Sequence, residues 1–193
     1  MKIAFIGSHG VGKTTLCYDL AARLKRQDRA VDLVAEVARS SPLPINRDTT
    51  LSAQAWILHT QIAREIAAEA QNDIVICDRS VLDNYAYLVY QAGRQSGYDA
   101  LVREWVTTYD GLFKVPITAA PSFDGKRDVS EIFQHDIDAV IDDLARDLGA
   151  EFHLLDAAAR DGWVDAVLQA SGLPLHPPQI DLFPRPEDRA RPG

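Results

Sequence analysis

Residues 7–14 read Gly7-Ser8-His9-Gly10-Val11-Gly12-Lys13-Thr14, which completes the pattern G-x-x-x-x-G-K-T. The apolar run from Ile3 to Ile6 indicates a buried strand before this loop, and Leu16, Leu20 and Leu24 follow it at helical spacing. In that context the backbone amides of the loop surround phosphate oxygens, and the helix N-terminus adds partial positive charge. The sequence therefore predicts a site for a nucleoside triphosphate.

Each position in and beside this loop has an expected role. Lys13 would contact the β- and γ-phosphates of ATP, and Thr14 would offer its hydroxyl to Mg²⁺. A guanine-reading Asn-Lys-x-Asp pattern is absent from the sequence, which favours ATP over GTP. The other residues expected to bind the phosphates are Gly7, Ser8, His9, Gly10, Val11, Gly12 and Thr15.

Composition limits the classes of protein to which the chain can belong. With 193 residues and 47% hydrophobic content, it suits one compact domain, predicted over 1–172, followed by a proline-rich tail over 173–193. A formal net charge of −8 argues against a broad nucleic-acid surface. No apolar stretch approaches membrane-spanning length, so a cytoplasmic protein is expected. Cys17 and Cys77 lack metal-ligand spacing and are predicted to be core thiols.

Strand-like and helical segments alternate along the chain, as expected for a parallel sheet built from βαβ units. Strands are predicted over 2–6, 31–35, 73–77, 112–118 and 151–155. Helices are predicted from residue 13 and over 51–71, 81–92, 133–148 and 163–170. In the helix over 51–71, Gln61 and Glu65 lie off an apolar stripe that is predicted to face the core and consists of Leu51, Ala55, Leu58, Ile62 and Ile66.

A carboxylate follows the third predicted strand, in the sequence Ile74-Val75-Ile76-Cys77-Asp78-Arg79-Ser80. At the C-terminal end of a parallel strand beside the phosphate loop, Asp78 would hold Mg²⁺ directly or through water. The alternative is that Asp78 caps the following helix, a role that Ser80 would fill equally well.

The ordered set of motifs resembles the thymidylate kinase and deoxynucleoside kinase branch of P-loop proteins over about residues 1 to 170. The set consists of the phosphate loop, Glu36 after the second strand, Asp78-Arg79-Ser80, and Asp124-Gly125-Lys126-Arg127. The resemblance implies a doubly wound parallel sheet, here with five strands, in which the Asp-Arg strand adjoins the loop strand. It also implies a short lid, whose Lys126 and Arg127 would neutralise charge on the transferred phosphoryl group. The alternative is that these two are solvated surface charges.

In that branch the acceptor lies between the second-strand glutamate and the Asp-Arg motif, which correspond to Glu36 and Arg79. If the acceptor is a hydroxyl, Glu36 would take its proton; if it is a phosphate, Arg39 and Arg79 would clamp it. Both cases stay open, as does a simple surface ion pair between Glu36 and Arg39. For an acceptor base, Gln61 would pair with its edge and Tyr87 would stack on its face.

The sequence thus favours a Mg²⁺- and ATP-dependent phosphotransferase acting on a nucleoside, a nucleotide or a similar small acceptor. A regulatory NTPase that hydrolyses ATP slowly is the alternative, and a homodimer is compatible with either. In the tail, Gln179-Ile180-Asp181-Leu182-Phe183 resembles the peptide by which bacterial replication proteins dock on the polymerase sliding clamp. The alternative there is that Leu182 and Phe183 fold back onto an apolar patch of the same chain.

Overall fold

A computed structural model describes residues 1–45, 49–119 and 130–177. Within them a five-stranded parallel sheet carries helices on both faces, which confirms the predicted fold class. The strands are β1 (Lys2–Ile6), β2 (Val31–Val34), β3 (Ile74–Asp78), β4 (Gly111–Lys114) and β5 (His153–Leu154). The helices are α1 (Lys13–Lys25), α2 (Leu51–Glu69), α3 (Val81–Ala92), α4 (Ser96–Val106), α5 (Glu131–Leu148) and α6 (Trp163–Ala170).

The strand order is β2-β3-β1-β4-β5, so β1 lies at the centre and pairs with both β3 and β4. As expected, the Asp-Arg strand β3 adjoins the phosphate-loop strand β1. Helix α1 follows β1 on one face of the sheet, and α3 follows β3 on the other face. This reversal opens a crevice at the C-terminal ends of β1 and β3, which is where ligands bind in open α/β sheets.

Two apolar layers enclose the sheet because alternate residues of β1 point to opposite faces. Ile3 and Phe5 pack with α1 and α6, whereas Ala4 and Ile6 pack with α2, α3 and α5. Cys17 and Cys77 are buried free thiols, as predicted, and burial raises the pKa of each well above its usual value. In the described part of the chain, no helix is both long enough and apolar enough to cross a bilayer.

The orientation predicted for α2 is only partly right: Leu58 is buried and Ile62 packs against the core, as predicted. Leu51 and Ile66, both assigned to the inward stripe, are 46% and 53% exposed, whereas Gln61 and Glu65 are fully buried. The buried face of α2 consists of Ala53, Gln54, Ile57, Leu58, Gln61, Glu65 and Ala68. Polar side chains can occupy this face because hydrogen-bonding partners from other elements compensate their loss of water.

Several element boundaries also differ from the predicted ones. Strand β4 ends at Lys114 rather than at residue 118, and Pro116, which has no amide hydrogen to donate to a sheet, follows two residues later. Strand β5 is confined to His153–Leu154. Helix α4 was not predicted; it buries Val102 and Val106 and exposes most of its remaining surface.

Candidate active site in the crevice between β1 and β3

The phosphate loop leaves β1 with a backbone that requires glycine. Gly7 has φ +133°, and a Cβ there would lie 2.8 Å from the carbonyl oxygen of Val115. Its amide donates to Asp83 Oδ1 at 2.9 Å, which ties the loop to α3. Gly12 is the N-cap of α1, and no described side chain caps this helix end. The first amides of α1 therefore stay available for an anion.

Lys13 lies inside this loop, and its ammonium group bonds to the loop itself. Nζ donates to the carbonyl oxygens of Gly7 at 2.6 Å and Ser8 at 2.5 Å. Burial, followed by the nearby Arg79 guanidinium, lowers the pKa of Lys13 to about 8. A phosphate oxygen would replace the two carbonyls as partner and add the negative charge that this buried cation lacks, so the loop fits a nucleotide phosphate.

Thr14 and Asp78 meet at the base of the crevice. The Thr14 hydroxyl donates to Asp78 Oδ2 at 2.6 Å, and Asp78 is only 3% exposed. The helix-capping alternative for Asp78 is wrong because Ser80 caps α3 through a reciprocal capping box with Asp83. A hydroxyl and a carboxylate side by side are the hard oxygen ligands that Mg²⁺ prefers, so these two residues fit the metal.

Glu36, Arg39 and Arg79 form an ion-pair cluster on the other side of the loop. Glu36 Oε1 accepts from Arg79 Nε at 2.8 Å, and Oε2 accepts from Arg39 Nε at 2.7 Å. Burial alone would raise the pKa of Glu36, but the Arg79 charge and the Arg39 hydrogen bond outweigh it and hold the pKa at about 2. The ion pair between Glu36 and Arg39 considered above is present, with the Arg39 side chain 38% exposed, and Glu36 also pairs with the buried Arg79.

Arg79 joins this cluster to α3 and retains an unused donor. Its Nη1 is buried and has no hydrogen-bond partner among the described residues. Its guanidinium carbon lies 4.9 Å from the centre of the Tyr87 ring. The backbone at Arg79 has φ +89°, a value that residues other than glycine rarely adopt. A buried guanidinium with a free N–H is suited to bind an oxyanion.

Tyr87 and Gln61 occupy different depths of the site. The Tyr87 hydroxyl lies 3.5 Å from His9 Nδ1, at the edge of the phosphate loop. Gln61 is completely buried behind the Asp-Arg motif, where its amide nitrogen donates to Glu65 Oε1 at 2.8 Å and to the Arg79 carbonyl at 3.2 Å. In this position Gln61 holds the backbone carbonyl of Arg79.

An aromatic cavity of about 300 Å³ lies next to His9, between α3 and the start of α5. Phe133 stands edge-on to the rings of Tyr87 and Tyr90, with centroids at 6.1 and 5.2 Å, and its ring lies 5.3 Å from that of His9. The lining residues are Thr49, Tyr87, Tyr90, Gln91, Ser130, Ile132, Phe133 and Asp136. A cavity of this size and composition suits a planar organic group.

Sequence reasoning missed a second basic residue at the loop, Arg160. Its guanidinium lies 5.7 Å from the Trp163 ring, and Nη2 would be 2.9 Å from a Cβ added at Gly12. With Thr15 and Asp19 these residues line a cavity of about 330 Å³ beside the start of α1. The sequence signal that could have found Arg160 is its place shortly after the last strand. Because all parallel strands end at the same edge of the sheet, a basic residue there lies near the phosphate loop.

Three predicted features fall outside the described residues. They are the lid residues Lys126 and Arg127, and the clamp-like peptide Gln179 to Phe183. Just before that peptide, the carbonyls of Pro174 and Leu175 accept hydrogen bonds from Gln27 and Arg23 on α1. The first residues beyond the predicted boundary at 172 thus still contact the domain.

A family model described as an AAA domain matches residues 2–161. The chain belongs to this family of P-loop proteins. It is also 31% identical, over 147 residues, to the thymidylate kinase of Polaromonas sp. strain JS666. That alignment covers 68% of this chain but only 62% of the relative, so the chain spans about three fifths of that protein's length.

Two solved structures have the same fold. The thymidylate kinase of Ehrlichia chaffeensis superposes with a TM-score of 0.63 at 22% identity, covering 88% of this AAA-domain chain and 98% of its own. The deoxyadenosine kinase of M. mycoides, solved with dCMP and dCDP as products, gives 0.60 at 15% identity, covering 88% and 97%. The resemblance to the kinase branch noted from the sequence is therefore confirmed.

Proposed function

We propose that this protein is a kinase that transfers the γ-phosphoryl group of ATP to a nucleoside monophosphate. One observation carries the proposal: a complete phosphate loop and the ion pair between Glu36 and the buried Arg79 face the same crevice. Residues 9–14 of the phosphate loop line one pocket together with Glu36, Asp78 and Arg79. Hydrolysis of ATP requires no acceptor site, whereas transfer to a phosphate acceptor requires a second anion-binding group beside the loop, which Arg79 would supply.

The donor half of the reaction depends on Lys13, Thr14, Asp78 and Arg160. Lys13 would exchange its loop carbonyls for the β- and γ-phosphates and stabilise the charge that develops during transfer. Mg²⁺, held by Thr14 and Asp78, would neutralise phosphate charge when bound. Arg160, whose guanidinium lies over the buried Trp163 ring, would provide a flat cationic surface for the adenine ring at the other side of Gly12.

The electrostatics of Glu36 favour a phosphate acceptor over a hydroxyl acceptor. A general base works best when its pKa lies near the working pH, and a carboxylate with a pKa of about 2 has little affinity for a hydroxyl proton. The buried Nη1 of Arg79, in contrast, needs an acceptor atom. Glu36 would therefore hold Arg79 and Arg39 in place for the acceptor phosphate, and Tyr87 and Phe133 would contact its base.

The test is acceptor-dependent release of ADP, measured with a panel of nucleosides and nucleoside monophosphates. We expect one or more monophosphates to stimulate ADP release and to appear as diphosphates. Lys13→Ala should abolish the transfer, whereas Lys25→Ala, on the exposed last turn of the same helix, should leave it unchanged. Steady ADP release that no acceptor stimulates would instead identify a regulatory NTPase.

A further inference from the structure

Glu65 is a fully buried carboxylate that none of the proposed catalytic steps uses. Its Oε1 accepts from Gln61 Nε2 at 2.8 Å and from the Tyr109 hydroxyl at 2.7 Å. Its Oε2 accepts from Trp105 Nε1 at 2.7 Å and lies 3.3 Å from Lys2 Nζ, whose side chain is also fully buried. Burying a charged pair is unfavourable unless its hydrogen bonds are satisfied, and here four donors satisfy one carboxylate.

Two of these four donors connect Glu65 to the segment that follows β3. Gln61 Nε2 donates to the carbonyl oxygen of Arg79 as well as to Glu65. The Tyr109 hydroxyl donates to Glu65 and accepts from the backbone amide of Val81 at 3.1 Å. Glu65 therefore orients two side chains that hold the peptide groups on either side of Ser80.

The backbone at Arg79 needs such support. Its φ of +89° is strained for a residue with a Cβ, and strained backbones persist only where surrounding contacts fix them. The side chain of Arg79 must also reach Glu36 Oε1 from this backbone. Ser80, Asp83 and the contact of Tyr109 with the Val81 amide fix the helix side of the segment. Gln61 supplies the contact on the strand side, to the Arg79 carbonyl.

We propose that Glu65 is a positioning residue for Arg79, acting through Gln61 and Tyr109 to hold the strained Arg79 backbone and so aim its guanidinium at the acceptor site. This inference rests on the proposed function only where it assigns Arg79 to the acceptor. Lys2 and Trp105 are the other two partners of the carboxylate and fix its position. Through this network the position of Arg79, which follows β3, depends on residues of β1, α2 and α4.

The experiment compares two tyrosine variants that remove the same chemical group. Tyr109→Phe deletes the hydroxyl that links Glu65 to the Val81 amide. Tyr85→Phe is the matched control, because the Tyr85 hydroxyl likewise donates to a carboxylate, that of Asp99, and accepts from a backbone amide, that of Gln95. The direct measurement is solvent exchange of the Arg79 Nε–H, which is observed by NMR and assigned by its loss in Arg79→Lys.

We expect Tyr109→Phe to speed Arg79 Nε–H exchange about fivefold to tenfold, the effect of losing one supporting hydrogen bond, and Tyr85→Phe to leave it unchanged. Gln61→Met, which removes the bond to the Arg79 carbonyl, should act like Tyr109→Phe. Unchanged exchange in both Tyr109→Phe and Gln61→Met, even with lowered thermal stability, would overturn the inference, because Glu65 would then be only structural.

Kinetics of the same variants separate this inference from the proposed function. If Arg79 contacts the acceptor, Arg79→Lys should raise the KM for the nucleoside monophosphate, because a lysine lacks the planar set of N–H donors, and should leave the KM for ATP little changed. Faster exchange in Tyr109→Phe together with an unchanged acceptor KM in Arg79→Lys would support the positioning role of Glu65 and contradict the assignment of Arg79 to the acceptor.

Discussion

At the scale of single residues, burial and charge oppose each other most directly at Glu36. Removal from water favours the protonated carboxyl, yet two arginines at hydrogen-bonding distance keep it ionised. Lys13 lies in the same crevice with the opposite balance, because its burial is not fully compensated and its ammonium group is easier to deprotonate. We therefore expect Glu36 to make stability depend on pH and Lys13 to make nucleotide binding depend on pH.

For Glu36 the prediction concerns stability. A carboxyl whose pKa falls from 4.5 to about 2 on folding stabilises the protein above pH 4.5, and this contribution is lost as the pH falls through about 2. Glu36→Gln should lower the free energy of unfolding at pH 7 by about 3 kcal/mol. In urea titrations the difference in unfolding free energy between Glu36→Gln and wild type should become smaller below pH 4.5. Glu104→Gln, on the exposed face of α4, should have the same unfolding free energy as wild type at every pH. A difference that does not change with pH would contradict this.

For Lys13 the prediction concerns nucleotide binding. With a pKa of about 8, Lys13 loses its charge as the pH rises through 8, and bound phosphates should restore the proton. The Kd for ATP at saturating Mg²⁺ should therefore rise by up to about tenfold per pH unit above pH 8. Calorimetry in two buffers of different ionisation enthalpy would detect the proton taken up on binding. Lys13→Arg, which stays charged, should abolish that uptake; an equal uptake in both proteins would exclude Lys13 as its source.

At the scale of elements, helix α2 presents to the sheet a face that its own sequence does not reveal. Hydrophobic spacing selects a stripe that includes Leu51 and Ile66, but both are exposed. The helix is rotated because Glu65 finds partners in β1 and α4, and Gln61 finds one after β3. The energetic value of a buried polar side chain depends on those distant partners.

Two isoleucines of α2 test this orientation. Ile57→Ala, at a position that is 2% exposed, should cost about 2 to 5 kcal/mol of unfolding free energy through lost burial and the cavity left behind. Ile66→Ala, at a position that is 53% exposed, should change it by less than about 0.5 kcal/mol. Denaturant unfolding of both variants measures the contrast, and a larger cost for Ile66→Ala than for Ile57→Ala would mean that α2 packs as the sequence pattern predicted.

The difference between local sequence patterns and contacts with distant partners explains how much of the fold and of the candidate site could be predicted. The phosphate loop, the position of Asp78 at the C-terminal end of its strand and the parallel sheet depend on local patterns, and all were found in the sequence. Helix α4 was missed, and so was Arg160, which reaches Gly12 only because β5 ends at the same edge of the sheet as β1. These features depend on which segments the fold brings together, and a single sequence contains little direct information about that.

At the scale of the whole molecule, the end of the described chain is part of the domain's surface. Leu173 and Leu175 pack against the apolar layer formed by α1 and α6. Arg23 and Gln27 of α1 donate hydrogen bonds to the carbonyls of Leu175 and Pro174. The segment over 173–175 thus packs against α1.

A pair of truncations tests that contribution. A protein ending at residue 172 should lose about 1 to 3 kcal/mol of unfolding free energy, because two partly buried leucines and two hydrogen bonds are removed. One ending at residue 177 should keep them and melt at a higher temperature than the shorter form. Calorimetry of the two proteins makes the comparison, and equal melting temperatures would place the domain boundary at 172 as the sequence predicted.

The central position of β1 has a consequence for how the chain is made. It precedes both of its neighbours, and the amide of Lys2 finds its partner Asp110 at a separation of 108 residues. During synthesis the apolar stretch from Ile3 to Ile6 therefore leaves the ribosome long before β3 and β4 exist to cover it. Such delayed pairing makes a nascent chain slow to fold and prone to aggregate. The strand on which the nucleotide site is built thus does not have both of its sheet neighbours until residue 114 has been made.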